Sequence, residues 1–168
     1  NLYYHLLFHL QSQLSLPIIC APMFLVSTPK LVIECCKNGV IGSFPALNIR
    51  PQALLDEWLT QITSELNDYK QANPSSIVAP FAVNQVVHPS NSRLEADHAL
   101  IKKHKVPLVI TSQGDPTNIV NDVHTWGGMV FHDVIKTQIN ASDELFTLTE
   151  VMTISMSETK ESSQEEFA

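Results

Sequence analysis

Residues 17–44 read PIICAPMFLVSTPKLVIECCKNGVIGSF and contain two apolar runs with a helical segment between them. The first run, 17–23, predicts a strand. Ser27 is a good helix cap before Pro29 in the first turn, and the predicted helix 28–38 ends at Gly39. The second run, 40–44, predicts another strand. A helix that connects two buried strands is the unit from which parallel α/β sheets are built.

The same alternation continues to residue 135. Further apolar runs at 77–87, 107–112 and 129–135 are near-continuous, which is typical of strands covered on both faces. Helical patterns lie between them at 51–69, 92–103 and 116–126. Right-handed crossovers of this kind build either an open doubly wound sheet or a (β/α)8 barrel. No GxGxxG follows the first strand, so the sequence does not support a classical dinucleotide-binding fold.

Three parts of the chain differ in composition. We divide it into a lead-in (1–16), the (β/α) body (17–135) and an acidic tail (136–168). Residues 1–135 contain ten acidic and eight basic residues, whereas the tail contains seven acidic and two basic ones. Neither residues 1–135 nor the tail carries the basic patch that nucleic-acid binding requires. No apolar run reaches the length of a membrane span. We therefore expect neither nucleic acid nor a membrane as a partner.

The three cysteines are Cys20, Cys35 and Cys36. An odd number with two adjacent members does not make a disulfide framework, and their spacing does not match a metal site. We therefore predict no metal ligands and expect a reducing, cytoplasmic setting. Cys20 could be a nucleophile beside a site, but its position inside an apolar strand favours a buried core thiol.

Five segments of the body together resemble a known family. They are APMFLVS (21–27), GVIGSFPALN (39–48), FAVNQVVHPSNSRL (81–94), HKVPLVITSQGDP (104–116) and GGMVFHDVI (127–135). Their order and spacing are similar to the N-terminal part of the nitronate monooxygenases, flavin enzymes also called 2-nitropropane dioxygenases. The resemblance favours the (β/α)8, TIM-type barrel, of which residues 17–135 would supply about the first five strands and leave the barrel incomplete.

The resemblance implies that FMN binds at the mouth of the barrel and that an alkyl nitronate is oxidised by O2 to a carbonyl compound and nitrite. It also implies a set of cofactor-binding residues at the strand ends. The backbone of the first loop, at Ala21, Pro22 and Met23, would lie against the flavin ring. Asn84 would be the strand-three asparagine that hydrogen-bonds the cofactor. The full set is Ala21, Pro22, Met23, Asn84, Ser112, Gln113, His132 and Asp133.

Several of these residues also have ordinary structural explanations. Asn84 could satisfy backbone groups in the core, Met23 could be a core side chain, and His132 could support the site without being a base. Some relatives carry lysine near the end of strand five, where this chain has Asp133. Asp115, before Pro116, is better explained as a helix cap than as an acid.

The resemblance ends near Ile135. The family's catalytic histidine lies in a glycine-rich loop after the next strand, and no glycine follows Gly128. We therefore assign no catalytic residue, and we expect weak FMN binding at most because glycine-rich phosphate loops are also absent. Alternatives are an enoyl-acyl-carrier reductase of the same broad family and an inactive fragment. Open strand edges predict self-association.

Overall fold

The computed structural model describes residue 10 and residues 12–133, so the predicted tail and the end of the fifth predicted strand lie outside the described part. Helices and strands alternate along these residues, with one 3₁₀ turn at Ala46–Asn48. The helices are α1 Pro29–Lys37, α2 Leu54–Ala72, α3 Leu94–Lys103 and α4 Thr117–His124; the strands are β1 Ser43–Pro45, β2 Ala82–Val86, β3 Leu108–Ser112 and β4 Met129–Asp133. None of the described helices has the length and apolar character needed to cross a bilayer.

The four strands form one sheet in the order β1-β2-β3-β4, and each pair of neighbours is parallel. Pro45, Asn84, Ile110 and Phe131 lie level with one another across the sheet. Sequential parallel order with a helix in each crossover is the arrangement of a (β/α) barrel rather than of a doubly wound sheet. The predicted α/β fold of barrel type is confirmed, and the described strands do not close a barrel.

The first predicted strand, 17–23, is reduced to a single parallel bridge between Ile19 and Ile41. The Cys20 N–H donates to Ile41 O at 2.8 Å, and the Ile41 N–H donates to Ile18 O at 3.1 Å. Pro22 lacks the N–H that would continue the ladder beyond Cys20, and the Ile18 N–H donates to Leu16 O at 2.8 Å instead of to the neighbouring segment, so the ladder extends in neither direction. The prediction of a full strand here was wrong, although its direction and its neighbour were right.

Proline also explains two other differences in element bounds. The predicted strand 77–87 begins only at Ala82, because Pro80 has no N–H and the Ala79 N–H donates to Cys36 O at 2.9 Å instead. Helix α1 is capped by Thr28 rather than by Ser27. Thr28 has an extended backbone, as expected before Pro29, and its Oγ1 accepts a hydrogen bond from the Leu31 N–H.

Two apolar layers lie on opposite faces of the sheet. The larger layer packs the helices against the outer face of the strands, and includes Val32, Leu55, Ile62, Val83, Ile101, Val109 and Val130. The smaller layer covers the inner face and contains Leu10, Ile41, Ala79, Ala82, Leu108, Ile110 and Phe131. Alternate residues of each strand belong to alternate layers, as the pleat of a β-strand requires. This alternation determines which polar residues can share a site.

Candidate active site

The carboxyl ends of the parallel strands bring three of the predicted residues to one face. Each of them comes two positions after an inner-face residue of its own strand, and side chains two apart on a strand lie on the same face. The side chains of Asn84, Ser112 and Asp133 therefore lie on the inner face, after Ala82, Ile110 and Phe131. Ser112 and Asp133 are direct partners in the β3–β4 register. A barrel assembles its site at this end of its strands. The structure therefore groups an amide, a hydroxyl and a carboxylate where a barrel active site would lie.

Asn84 is held by two hydrogen bonds to the neighbouring strand. Its Nδ2 donates to Ile110 O at 3.1 Å and to Ser112 Oγ at 2.6 Å. A backbone carbonyl can only accept, so the nitrogen end of the Asn84 amide must face Ile110. The Oδ1 atom then has no hydrogen-bond donor among the residues that the structure describes. It is an acceptor at the inner edge of the sheet, suited to an N–H donor on a ligand.

The turn after β3 has a constrained backbone at the mouth. Gln113 has φ 60° and is exposed, and Gly114 has φ 147°. A side chain at Gly114 would bring its Cβ to 3.0 Å from Val87 O. The Val87 N–H donates to Ser112 O at 2.8 Å, which ties this turn to the end of β2. The turn therefore presents the Gln113 side chain to solvent at the carboxyl end of the sheet.

His132 lies on the opposite face from Asn84. It alternates with Phe131 and Asp133 along β4, and its Nδ1 is 2.9 Å from Oγ1 of Thr111, a buried residue on the helix side of β3. Burial lowers the pKa of His132 below its usual value of 6.5, although Thr111, Asp133 and Asp115 act in the other direction. The geometry does not join His132 to the Asn84 and Ser112 pair, so its contact with a cofactor stays a prediction.

The predicted ring-facing residues lie in an exposed loop between the first bridge and α1. Ala21 and Met23 are exposed, and Pro22 is half-buried. Ser27 is buried, and its Oγ accepts a hydrogen bond from the Met23 N–H at 2.9 Å. Because the Ile19–Ile41 bridge is parallel, this loop emerges at the same end of the sheet as β1 and β2 do. Met23 is 37% exposed, which contradicts its interpretation as a core side chain.

Two hydrogen-bonded groups were missed by the sequence interpretation. Asn48, the last residue of the 3₁₀ turn after β1, bonds to the loop 21–27. The resemblance segment 39–48 includes it, but the sequence interpretation gave it no role. The second group lies on the outer face, where His98 Nδ1 is 3.0 Å from Gln85 Oε1 and His98 Nε2 is 2.9 Å from Asp122 Oδ2. Hydrogen bonds from Lys102 and His98 lower the pKa of Asp122. This second group connects β2, α3 and α4 and stands away from the inner face.

Cys35 and Cys36 do not contribute a nucleophile to the mouth, and Cys20, interpreted from the sequence as a buried core thiol, is half-buried. Burial raises the pKa of Cys36 to about 12, and burial together with the nearby Cys20 thiol raises that of Cys35 to about 11. Both thiols are therefore protonated at neutral pH. Asp115 accepts a hydrogen bond from the Thr117 N–H at 2.9 Å, so its carboxylate stabilises the start of α4 as expected of a cap. Among residues 12–133, no cluster of histidine, cysteine and acidic side chains is arranged to hold a metal ion.

The residues of the mouth fit one part of FMN. Asn84 Oδ1 offers an acceptor for a ring N–H, and the loop 21–23 offers exposed backbone and apolar surface at the same end. The phosphate requires several backbone N–H groups, usually from glycine-rich turns. In the described part of the chain only Gly114 lies at the carboxyl end of a strand, since Gly127 and Gly128 precede β4. The ring has fitting partners here, and the phosphate has none among these residues.

The chain matches no protein-family model and no curated protein. It is similar to the solved structure of FabK from Thermotoga maritima, with a TM-score of 0.55 and 20% identity, covering 77% of this chain and 37% of that one. A methionine-to-alanine mutant of that protein aligns with a TM-score of 0.57 and 18% identity, covering 74% of this chain and 37% of the mutant. The chain thus spans little more than a third of the length of these neighbours. At such low identity the likeness shows the shared fold alone.

Proposed function

We propose that this chain is the N-terminal part of a flavin-dependent oxidoreductase. The proposal rests on Asn84, which Ile110 O and Ser112 fix so that its Oδ1 acceptor, unpaired among the residues that the structure describes, lies on the inner face at the strand carboxyl ends. The sequence resemblance to nitronate monooxygenases and the shared fold with FabK, a flavoenzyme, both support a flavin at this place. Bound FMN would supply the redox chemistry, and the chain's own residues would position the ring.

For the reaction, we propose oxidation of an alkyl nitronate by O2 to a carbonyl compound and nitrite, as the sequence resemblance implies. Reduction of an enoyl thioester is the second candidate. It is favoured by the solved neighbours, since FabK is an enoyl-acyl-carrier-protein reductase. The two reactions use different substrates at the same flavin. Two tests distinguish them: release of nitrite from a nitronate in air, and loss of the enoyl absorbance from an enoyl thioester when dithionite-reduced FMN supplies the two electrons.

The first experiment is titration of FMN into the full chain, followed by quenching of flavin fluorescence. We expect measurable but weak binding, because ring contacts are present and a phosphate cradle is not found in the described part. Riboflavin should bind with an affinity similar to that of FMN for the same reason. If neither flavin binds, the proposed function is wrong for this chain.

Asn84→Ala tests the ring contact directly. Removal of one hydrogen bond from a partly buried site should weaken flavin binding by about fivefold to tenfold. Asn73→Ala is the matched control, since Asn73 also donates a side-chain hydrogen bond, at 2.9 Å to Tyr69 O, but at the end of α2. Equal flavin affinity in Asn84→Ala and the control would contradict the assignment of Asn84.

A further inference from the structure

Asn48 binds the loop 21–27 through both ends of its side-chain amide. Its Oδ1 accepts a hydrogen bond from the Leu25 N–H at 3.0 Å. Its Nδ2 donates to Met23 O at 3.1 Å and to Ser27 O at 3.3 Å. Leu25 has φ 62°, a left-handed conformation that is unfavourable for a residue with a side chain. The Asn48 amide therefore adds three hydrogen bonds to a turn that also has internal ones, such as the bond from the Ser27 N–H to Met23 O at 3.0 Å.

Arg93 in turn holds the segment on both sides of Asn48. Its Nη1 donates to Ile49 O at 2.8 Å and its Nη2 to Ala46 O at 3.3 Å. The same Nη2 donates to Asp97 Oδ1 at 3.1 Å, and Asp97 is buried on α3. A planar guanidinium that binds two carbonyls and a carboxylate leaves the turn little freedom. The position of Asn48 is thus determined by a fixed part of the fold rather than by a free loop.

We propose that Asn48 is a positioning residue for the candidate site: it helps to hold the backbone of the loop 21–27 in place, and hence affects how that loop meets a bound ligand. The inference rests on the proposed function for the identity of the ligand, because the loop is where the flavin ring would lie. The effect of Asn48 on the loop backbone, which we call the physical part of the proposal, does not depend on which ligand binds. Neither an acidic nor an aliphatic side chain can replace the amide fully, because the loop presents one donor and two acceptors.

Residue-resolved amide hydrogen exchange of the full chain without flavin tests the physical part. In Asn48→Ala we expect the Leu25 amide to exchange about fivefold faster, the equivalent of one typical hydrogen bond. In Asn48→Asp the Leu25 amide should regain protection, because the Oδ1 acceptor is retained. Asn73→Ala is the control and should leave the loop unchanged. An unchanged Leu25 amide in Asn48→Ala, or equal release in the Ala and Asp variants, would contradict the proposal.

Loss of protection throughout α2 and α3 in Asn48→Ala would also overturn the proposal, since it would make Asn48 a support of the whole fold. The functional part is tested by FMN affinity, which should fall about fivefold in Asn48→Ala and stay constant in the control. A released loop with unchanged FMN affinity would mean that Asn48 does not position the site. If the unmodified chain binds no FMN, the proposed function fails, and the exchange result still decides whether Asn48 controls the loop.

Discussion

Asn84 donates a hydrogen bond to Ser112 Oγ over 2.6 Å, and this contact joins β2 to β3 on the inner face of the sheet. The two residues are 28 positions apart in the chain and do not share a register pair, since Ser112 lies level with Val86. A strand asparagine thus spans diagonally to the next strand. The bond occupies the donor end of the Asn84 amide, and within residues 12–133 its acceptor end has no hydrogen-bond donor.

A double-mutant cycle tests this contact as a contribution to stability. Asn84→Ala and Ser112→Ala should each lower the free energy of unfolding by about 1 kcal/mol, and the double variant by less than the sum. The physical reason is that either single change already removes the shared hydrogen bond. Urea denaturation of the four proteins measures the coupling. Strictly additive losses would show that the Asn84–Ser112 bond contributes nothing to the folded state in solution.

The sequence predicted the alternation of strands and helices because the periods of the apolar residues differ between the two. The predicted strand ends were wrong where a proline lacks the N–H that the strand ladder needs, as at Pro22 and Pro80. The sequence predicted Asn84 and Ser112 as site residues, but through a resemblance and not through their contact. Nothing in a single sequence places Asn48 beside Leu25, because that contact depends on how the loop folds back. The opposite orientation of His132 follows from strand alternation once Phe131 is known to be on the inner face.

Gly42 should tolerate no side chain. A Cβ at this position would lie 2.4 Å from Val32 O and 2.8 Å from Val32 Cα, so the backbone of α1 would have to move away from β1. We expect Gly42→Ala to lower the free energy of unfolding by about 3 kcal/mol. Gly127→Ala is the comparison, since nothing lies within 4 Å of its Cβ and only its φ of 78° is unfavourable, at about 1 kcal/mol. Thermal denaturation of both variants tests which of them loses more stability. A greater loss of stability in Gly127→Ala than in Gly42→Ala would contradict the prediction.

The environment of His132 predicts that the fold weakens in mild acid. Burial lowers the pKa of His132 in the folded chain below 6.5, while the unfolded chain keeps its usual value. As pH falls through 6.5 the unfolded state binds a proton before the folded state does, so stability is lost on acidification and is fully present above that range. The midpoint for His132 in an NMR titration should therefore lie below 6.5.

The variant His132→Gln should show a smaller loss of stability between pH 7 and pH 5 than the unmodified chain. His124→Gln is the control, because it makes the same change at an exposed histidine at the end of α4. Urea denaturation at the two pH values gives the comparison. An unchanged pH dependence in His132→Gln would mean that another group is responsible.

Cys36 should be the least reactive of the three thiols. It is fully buried in α1, its Sγ contacts Pro80 O at 3.6 Å, and burial raises its pKa to about 12. At pH 8 only about one thiol in ten thousand would be ionised, even before access is considered. Alkylation of the native chain with iodoacetamide, read by mass spectrometry, should label Cys20 and Cys35 before Cys36. Early labelling of Cys36 would show that α1 separates from the sheet far more often than its packing suggests.

We expect the chain to self-associate through the side of the sheet next to β1. Leu16 and Ile18 are 53% and 50% exposed there, and among the described residues the segment 17–23 makes one bridge, Ile19 to Ile41, instead of a full strand at this edge. Exposed apolar edges of sheets pair with other chains unless a charge or a cover prevents it.

Ile18→Lys places a charge at this edge and should shift the chain towards the monomer. Light scattering after size-exclusion chromatography over a range of concentrations measures the shift, and Ile77→Lys is the control at an equally apolar position, 45% exposed, outside the described strands. A monomer at all concentrations in the unmodified chain would contradict the prediction, and an equal effect of the two lysines would place the contact elsewhere.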